Sequence, residues 1–231
     1  MTAQVVQPQS VFVVVPAFNE GSAVGGVVRR LRTRGYTVVV VDDGSSDSTG
    51  EQARSAGAIV LRHSMNIGQG GALQTGIAFS VRSGARLICT FDADGQHAED
   101  DIARVAAALI EKDVDVVLGS RFLGEAHGIS RSRRMLLKAA VLFTRLHSGL
   151  KLTDAHNGLR MFRADAAARL ALRQMGMAHA SEIIDQIALH KFKYCEAPVT
   201  VNYTGYSKHK GQNSLGSIRI VADLVIGRFV K

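Results

Sequence analysis

Short runs of consecutive apolar residues alternate along the chain with longer segments in which apolar residues recur every three or four positions. The short runs predict buried strands at 11–15, 37–41, 58–61, 85–90 and 114–118. The periodic segments predict helices, and the apolar stripe is clearest at 21–34 and 100–111. This order of strand, helix and strand predicts an α/β fold with a mixed, mostly parallel sheet and right-handed crossovers.

The remaining segments complete a single predicted domain at 11–213, preceded by a flexible tail at 1–10 and followed by an amphipathic helix at 214–231. A flexible loop is predicted at 124–132 and a basic amphipathic helix at 133–149. That helix could lie on an anionic membrane surface, or its apolar stripe could pack on the sheet. The pattern leaves both readings open.

The segment Phe91-Asp92-Ala93-Asp94-Gly95 follows a predicted strand and carries the main candidate chemistry. On extended backbone the two carboxylates point the same way, and Gly95 permits a sharp turn after them. Two like charges held together are costly unless a cation neutralises them. The segment therefore predicts a site for a hard divalent ion such as Mg²⁺ or Mn²⁺. The alternative is that the acids merely cap the next helix.

Polar residues follow other predicted strands as well, at 16–20, at 42–47 and at Arg121. Ligands of parallel sheets bind outside the carboxyl ends of the strands, so these residues are expected near Asp92 and Asp94. Arg121 could bind a phosphate with two hydrogen bonds, or it could be a surface arginine paired with an acid.

The chain of 231 residues has a net charge of +8, which favours an anionic partner such as a nucleotide, a lipid headgroup or nucleic acid. It contains no Trp and only 6% aromatic residues, which argues against a nucleic-acid-binding module of the base-stacking type. Cys89 and Cys195 indicate free thiols in a reducing compartment. We recognise neither a secretory signal nor an apolar run of about 20 residues that could span a bilayer. The protein is expected to be cytoplasmic, either soluble or peripheral on the inner face of the membrane.

Five motifs in order together resemble the family 2 inverting glycosyltransferases, in the branch of dolichyl-phosphate mannose synthase and the bacterial polyprenyl-phosphate sugar transferases. They are Pro-Ala-Phe-Asn-Glu at 16–20, Asp-Asp-Gly-Ser-Ser-Asp at 42–47, Asp-Ala-Asp-Gly-Gln-His at 92–97, Gly-Ser-Arg-Phe at 119–122 and Asn-Gly-Leu-Arg at 157–160. The resemblance implies the nucleotide-sugar transferase fold called A, a single Rossmann-like α/β domain with helices on both faces of the sheet.

The resemblance also implies roles for individual residues. The nucleotide sugar would contact Pro16, Phe18, Glu20, Asp43, Asp92 and Glu182. The metal ligands would be Asp92, Asp94 and Gln96. The acceptor phosphate would be held by Arg121 with Arg131 or Arg133. Asp154 would face the donor sugar, and Lys208 or Lys210 would close over the donor diphosphate.

The implied reaction is metal-dependent transfer of a sugar from a nucleotide diphosphate sugar to a polyprenyl phosphate such as undecaprenyl phosphate, for cell-surface glycan synthesis. The residues expected to carry it are Asp94, Asp154, Arg121 and Lys210. The rival is a soluble glycosyltransferase with a hydroxyl acceptor, for which Asp154 is the candidate base. A catalytically silent nucleotide-binding or nucleic-acid-binding protein is a minor alternative. The sequence leaves open whether a separate membrane protein or a second copy of the chain is a partner.

Overall fold

The computed structural model describes residues 7–203, in which one seven-stranded sheet carries helices on both of its faces. The strands are β1 Val11–Ala17, β2 Thr37–Asp42, β3 Ile59–Arg62, β4 Leu87–Thr90, β5 Val116–His127, β6 Arg160–Arg163 and β7 Tyr194–Asn202. The helices are α1 Val24–Thr33, α2 Thr49–Ser55, α3 Gln69–Arg82, α4 Asp101–Glu111, α5 Arg131–Ser148, α6 Ala164–Ala168 and α7 His179–Leu189. The predictions for Lys208, Lys210 and the helix at 214–231 lie outside the described residues.

The strands lie in the order β3-β2-β1-β4-β6-β5-β7, and in this described sheet only β6 runs opposite to the rest. Ala17 at the end of β1 lies beside Asp42 at the end of β2. On the other side of β1, Thr90 at the end of β4 lies beside Arg160 at the start of β6. The first residue of β6 therefore reaches the edge at which β1, β2 and β4 end.

Two hydrophobic cores cover the two faces of the sheet. Val13 and Val15 of β1 point into the core beneath α1 and α4, whereas Val14 between them points into the core beneath α3 and α7. Because successive strand residues face opposite sides, a strand buried on both faces must be apolar throughout. The predicted mixed, mostly parallel sheet with helices on both faces is confirmed.

Strand β5 extends to His127 and helix α5 begins at Arg131, so the predicted loop at 124–132 is wrong for its first four and its last two residues. After an irregularity between Ser120 and Glu125, the strand pairs again in parallel with the end of β7. Local composition could not show this pairing because the partner strand lies far along the chain. Helix α5 follows, and the Ser130 side chain caps it by accepting a hydrogen bond of 3.2 Å from the Arg133 backbone N–H.

Helix α5 packs against α7, and Val141 and Thr144 are its buried residues. Its apolar stripe does not pack on the sheet, because Met135, Leu142 and Leu146 are 73%, 58% and 80% exposed. The structure thus excludes packing on the sheet for this part of the helix.

Two further elements of the structure are very short. A 3-10 turn at Pro8–Ser10 lies within the segment predicted as a tail, and the Ser10 N–H and hydroxyl both donate to the Gln7 carbonyl. Helix α6 is only five residues long and follows β6 directly. Elements of this length are too short for a periodic apolar pattern to reveal.

Candidate active site

A cavity of about 640 Å³ opens at the edge of the sheet where β1, β2 and β4 end and β6 begins. It is lined by nine of the residues predicted from the sequence: Pro16, Phe18, Glu20, Asp43, Asp92, Asp94, Gln96, Arg121 and Arg133. Arg131, Asp154 and Glu182 are not among its lining residues. Most of the predicted site thus comes together in one place.

The two carboxylates of the Asp-Ala-Asp segment are held by neighbours within the cavity. His97 Nε2 donates to Asp92 Oδ2 at 2.9 Å, and Gln69 Nε2 donates to Asp92 Oδ1 at 3.3 Å. The Gln96 backbone N–H donates to Asp94 Oδ1 at 3.1 Å, and the Gln96 side-chain amide donates to Asp94 Oδ2. Gly95, with φ 73°, makes the turn that permits these contacts.

The pKa values of the two acids are shifted in opposite directions by their surroundings. Burial and the negative charge of Asp92 raise the pKa of Asp94. Burial also opposes ionisation of Asp92, but the hydrogen bond from His97 and the positive charges around it, including that of Arg160, lower its pKa overall. Asp94 is therefore the acid that would gain more from a neighbouring cation.

The donor set fits a hard divalent cation that shares its ligands with a substrate. Asp92 and Asp94 supply carboxylate oxygens, and Gln96 adds an amide whose nitrogen bonds Asp94. Within residues 7–203, no three His, Cys, Asp or Glu side chains converge on one point. Mg²⁺ and Mn²⁺ accept such incomplete protein sites because waters and phosphate oxygens fill the remaining positions.

The loops after β1 and β2 form one wall of the cavity and are tied to each other. Ser46 N donates to Asn19 Oδ1 at 2.9 Å, and Asn19 N donates to Ser45 Oγ at 3.0 Å. Glu20 N donates to Thr49 Oγ1 at 2.8 Å. These bonds hold Phe18 and Glu20 at the mouth of the cavity, where Phe18 is 43% exposed.

The buried Asp43 carboxylate organises a second part of that wall. Its Oδ1 accepts from His63 Nδ1 at 2.7 Å and from Ile67 N at 3.1 Å, and its Oδ2 accepts from Gly68 N at 2.7 Å. Asp43 therefore joins the end of β2 to the start of α3 as well as lining the cavity. We call Glu20, Asp43, Asp92 and Asp94 the acidic wall.

Arg121 and Asp154 form a buried ion pair at the opposite side. Arg121 Nε lies 2.6 Å from Asp154 Oδ2, which also accepts the Arg121 backbone N–H at 3.1 Å. The same guanidinium donates to the Tyr203 hydroxyl at 2.6 Å and to the His156 carbonyl at 2.7 Å. Asp154 therefore orients Arg121, which lines the cavity, instead of facing the cavity itself.

Arg131 and Arg133, the two alternatives for the acceptor phosphate, lie differently on α5. The Arg133 guanidinium lies over the Tyr203 ring, 4.9 Å from its centroid, and Arg133 lines the cavity. Arg131, at the first position of the helix, is exposed to solvent. The arginine brought near Arg121 is thus Arg133.

Glu182 supports a loop and does not reach the cavity. Its carboxylate accepts the backbone N–H groups of Arg173 at 2.9 Å and of Gln174 at 2.8 Å. The following residues, Gly176 and Met177, line the cavity. Glu182 therefore anchors a lining loop, and its predicted position beside the donor sugar stays a prediction.

Sequence reasoning missed Arg160, together with three lining histidines, His97, His156 and His179. Arg160 begins β6, and because that strand is reversed, its first residue lies where the other strands end. Burial and the positive charge of Arg160 lower the pKa of both His156 and His179 to about 4. The Asn-Gly-Leu-Arg motif at 157–160 was the available signal. We call Arg121, Arg133 and Arg160 the basic wall.

Comparison with known proteins points to one protein family. The family model described as glycosyl transferase family 2 matches residues 12–170. The chain is 31% identical over 238 residues to the UDP-N-acetylglucosamine–dolichyl-phosphate N-acetylglucosaminyltransferase of Methanococcus voltae, with 94% of this chain and 95% of that protein covered. It is 30% identical over 202 residues to the undecaprenyl-phosphate mannosyltransferase of Micrococcus luteus, with 82% of each covered.

Among solved structures, glucosyl-3-phosphoglycerate synthase from Mycobacterium tuberculosis, in complex with Mn²⁺, UDP-glucose and phosphoglyceric acid, matches with a TM-score of 0.68. The match covers 94% of this chain and 79% of that chain at 17% sequence identity. At this identity the likeness concerns the fold, and it confirms the fold class predicted from the sequence.

Proposed function

The chain belongs to glycosyl transferase family 2, and on that premise we propose that it transfers a sugar from a nucleotide diphosphate sugar to a polyprenyl phosphate. The observation that carries the proposal is that the acidic wall and the basic wall line the same cavity. The names of the Methanococcus and Micrococcus relatives support a polyprenyl-type phosphate acceptor.

On the donor side, the loops after β1 and β2 would hold the nucleoside. Pro16, Phe18 and Glu20 line that part of the cavity, and Asp43 lies behind them as a rigid acceptor of hydrogen bonds. A Mg²⁺ or Mn²⁺ ion held by Asp92 and Asp94, with Gln96 as a third ligand, would neutralise charge developing on the leaving diphosphate. Lys208 or Lys210, outside the described residues, is proposed to add positive charge there.

On the acceptor side, Arg121 and Arg133 would hold the phosphate of the lipid. An oxygen of that phosphate attacks the anomeric carbon from the face opposite the diphosphate, so the new C–O bond forms as the old one breaks and the configuration inverts. A phosphate monoester is already anionic near neutral pH, so this step requires positioning and needs no base. Arg121, fixed on three sides by Asp154, Tyr203 and His156, is suited to that positioning.

A hydroxyl acceptor is the weaker alternative. It would need a base to remove its proton, and the sequence offers Asp154 for that task. In the structure the Asp154 carboxylate is bonded to Arg121 and to the His156 backbone N–H. The arrangement thus favours an acceptor that arrives with its own negative charge.

The surface of α5 supports contact with the membrane that would contain such an acceptor. At about 100° per residue, the exposed Met135, Leu142 and Leu146 form one narrow stripe. The basic residues Arg131, Arg134, Lys138 and Arg145 are exposed along one side of that stripe. Within residues 7–203, none of the helices is long and apolar enough to cross a bilayer. We therefore propose peripheral binding of α5 to the anionic inner face of the cytoplasmic membrane.

Vesicle binding tests the α5 proposal. Leu142→Ser and Leu146→Ser introduced together should abolish cosedimentation with vesicles containing phosphatidylglycerol, while activity in detergent is retained. The matched control is Leu189→Ser, because Leu189 is equally exposed, at 75%, but lies at the end of α7. Equal binding of the double variant and the control would contradict the proposal.

Sugar transfer is tested with undecaprenyl phosphate in detergent and a panel of radiolabelled UDP, GDP and dTDP sugars, with Mg²⁺ or Mn²⁺ and with EDTA. We expect label in the lipid fraction from one class of donor, lost on chelation. Absence of lipid-linked label across the panel, with donor still bound, would refute the acceptor class.

A further inference from the structure

Arg160 differs from the other arginines of the cavity in its contacts with the described part of the chain. It is 3% exposed and lines the cavity, yet its guanidinium makes no hydrogen bond or ion pair with any residue of 7–203. Arg121, which is comparably buried, donates to Asp154, Tyr203 and the His156 carbonyl. Of the three arginines of the basic wall, Arg121 is therefore held by hydrogen bonds, Arg133 lies over the Tyr203 ring, and Arg160 has neither kind of contact within the described residues.

The charges of Asp92 and Asp154 offset part of the cost of burying this cation, but without a hydrogen bond to the described part of the protein its donors stay available to a ligand in the cavity. Burial lowers the pKa of the Arg160 guanidinium to about 10, so the group stays protonated at neutral pH. The two nearest carboxylates are committed elsewhere, since Asp92 bonds His97 and Asp154 bonds Arg121. His156 and His179, also at the cavity, are uncharged at neutral pH, so the positive charge there comes from the arginines.

The register of the sheet fixes where such a ligand would lie. Arg160 is paired on one side with Thr90 of β4, two residues before Asp92, and on the other side with Leu118 of β5, three residues before Arg121. It therefore stands between the acids and the paired arginine. A group bound there would be at the junction of the two substrates.

We propose that Arg160 is a phosphate-binding residue that engages phosphoryl oxygen at this junction. The inference rests on the proposed function and adds a third arginine to it. The phosphoryl oxygen belongs either to the donor diphosphate or to the acceptor phosphate, and a planar guanidinium can bind either with two parallel hydrogen bonds.

The test compares Arg160→Met with wild type by calorimetric titration of two probes, UDP with Mn²⁺ and geranyl phosphate. Arg163→Met is the matched control, because Arg163 lies at the other end of β6 and bonds Asp113 away from the cavity. We expect Arg160→Met to weaken one probe by about tenfold to a hundredfold, and the affected probe identifies the source of the phosphate. Arg160→Lys should recover part of the loss because it restores the charge.

Thermal unfolding separates binding from a structural role. Without ligand, Arg160→Met should unfold close to the wild-type temperature, because the substitution removes the cost of burying the charge together with its attraction to Asp92 and Asp154. A lower melting temperature with both affinities unchanged would overturn the inference and leave the proposed function standing. If the wild-type protein binds neither probe, the proposed function fails and the inference fails with it.

Discussion

The acidic wall and the basic wall of the cavity are built in different ways. The acidic wall follows parallel strands, and hydrogen bonds between neighbouring loops hold it, such as Ser46 N to Asn19 Oδ1 and Gly68 N to Asp43 Oδ2. The basic wall lies where β6 reverses direction between β4 and β5, and it depends on the buried pair of Arg121 with Asp154. The difference teaches that one sheet edge can hold a cation on one side and an anion on the other. The proposed transfer from a nucleotide sugar to a phosphate would use both.

The largest loss of activity is expected on substitution of Asp94 in the acidic wall. Asp94→Ala should reduce sugar transfer by about a thousandfold or more, because the carboxylate that most needs a cation is removed. Product formation at saturating Mn²⁺ measures this. Asp100→Ala serves as the control, because Asp100 is an exposed acid paired with Arg34. A variant that kept a tenth of the activity would show that the metal is held elsewhere.

A smaller loss of activity is expected on substitution of Gly158, where the acidic wall and the basic wall meet. A Cβ at Gly158 would lie 2.1 Å from Asp92 Oδ2, so Gly158→Ala must displace that carboxylate. We expect about a hundredfold loss of turnover and a higher Mn²⁺ requirement. In the control Gly26→Ala, the new Cβ meets only the flexible end of Arg30 at 3.3 Å. Wild-type Mn²⁺ dependence in Gly158→Ala would contradict this account of Asp92.

Arg133→Met should act on the acceptor alone. We expect about a tenfold rise in KM for undecaprenyl phosphate, with binding of UDP and Mn²⁺ within about twofold of wild type. Arg131→Met, assayed in detergent so that membrane docking does not contribute, should leave both quantities unchanged because Arg131 is exposed outside the cavity. The reverse ranking of the two variants would assign the acceptor to Arg131.

Asp154→Asn tests whether Asp154 positions Arg121 or acts as a base. Removing one member of a buried ion pair typically costs about 3–5 kcal/mol in the free energy of unfolding. Urea denaturation should show a loss of that order, and transfer to the lipid phosphate should persist at a reduced rate. Complete loss of transfer in a protein of wild-type stability would indicate that Asp154 is the base of a hydroxyl-directed enzyme.

The smallest effect concerns pH and two histidines that line the cavity. His156 and His179 have a pKa of about 4 in the fold, below the usual 6.5, so the unfolded chain binds more protons between these values. Their contribution to stability is therefore lost as the pH falls from about 6.5 towards 4. His156→Gln should make the fall in melting temperature shallower, whereas His147→Gln, on the exposed surface of α5, should not. Equal slopes would refute the low pKa of His156.

The acidic wall could be predicted from the sequence because its residues obey one rule. Asp43, Asp92 and Asp94 each follow a short apolar run that forms a parallel strand, and parallel strands end at the same edge. The alternation of strands and helices was equally visible, because strands buried on both faces are apolar throughout. For the acidic wall, the local sequence pattern therefore predicts where each residue lies in the fold.

The basic wall could be predicted only in part. Arg121 follows the run at 114–118, but the reversal of β6, which brings Arg160 to the cavity, has no local signal. The pairing of Asp154 with Arg121 and the anchoring of a loop by Glu182 depend on contacts between distant segments. Arg131 and Arg133 lie on different sides of α5, and which of them faces the cavity depends on where the helix begins.

The most direct measurement compares undecaprenyl phosphate with undecaprenol as acceptors under identical conditions, using the donor class that the wild-type protein binds. The two lipids differ only in the phosphate for which the basic wall is suited. We predict transfer to undecaprenyl phosphate and none above background to undecaprenol, since the alcohol offers the arginines no charge. Equal transfer to both, or transfer to the alcohol alone, would contradict the claim that the basic wall selects a phosphate acceptor.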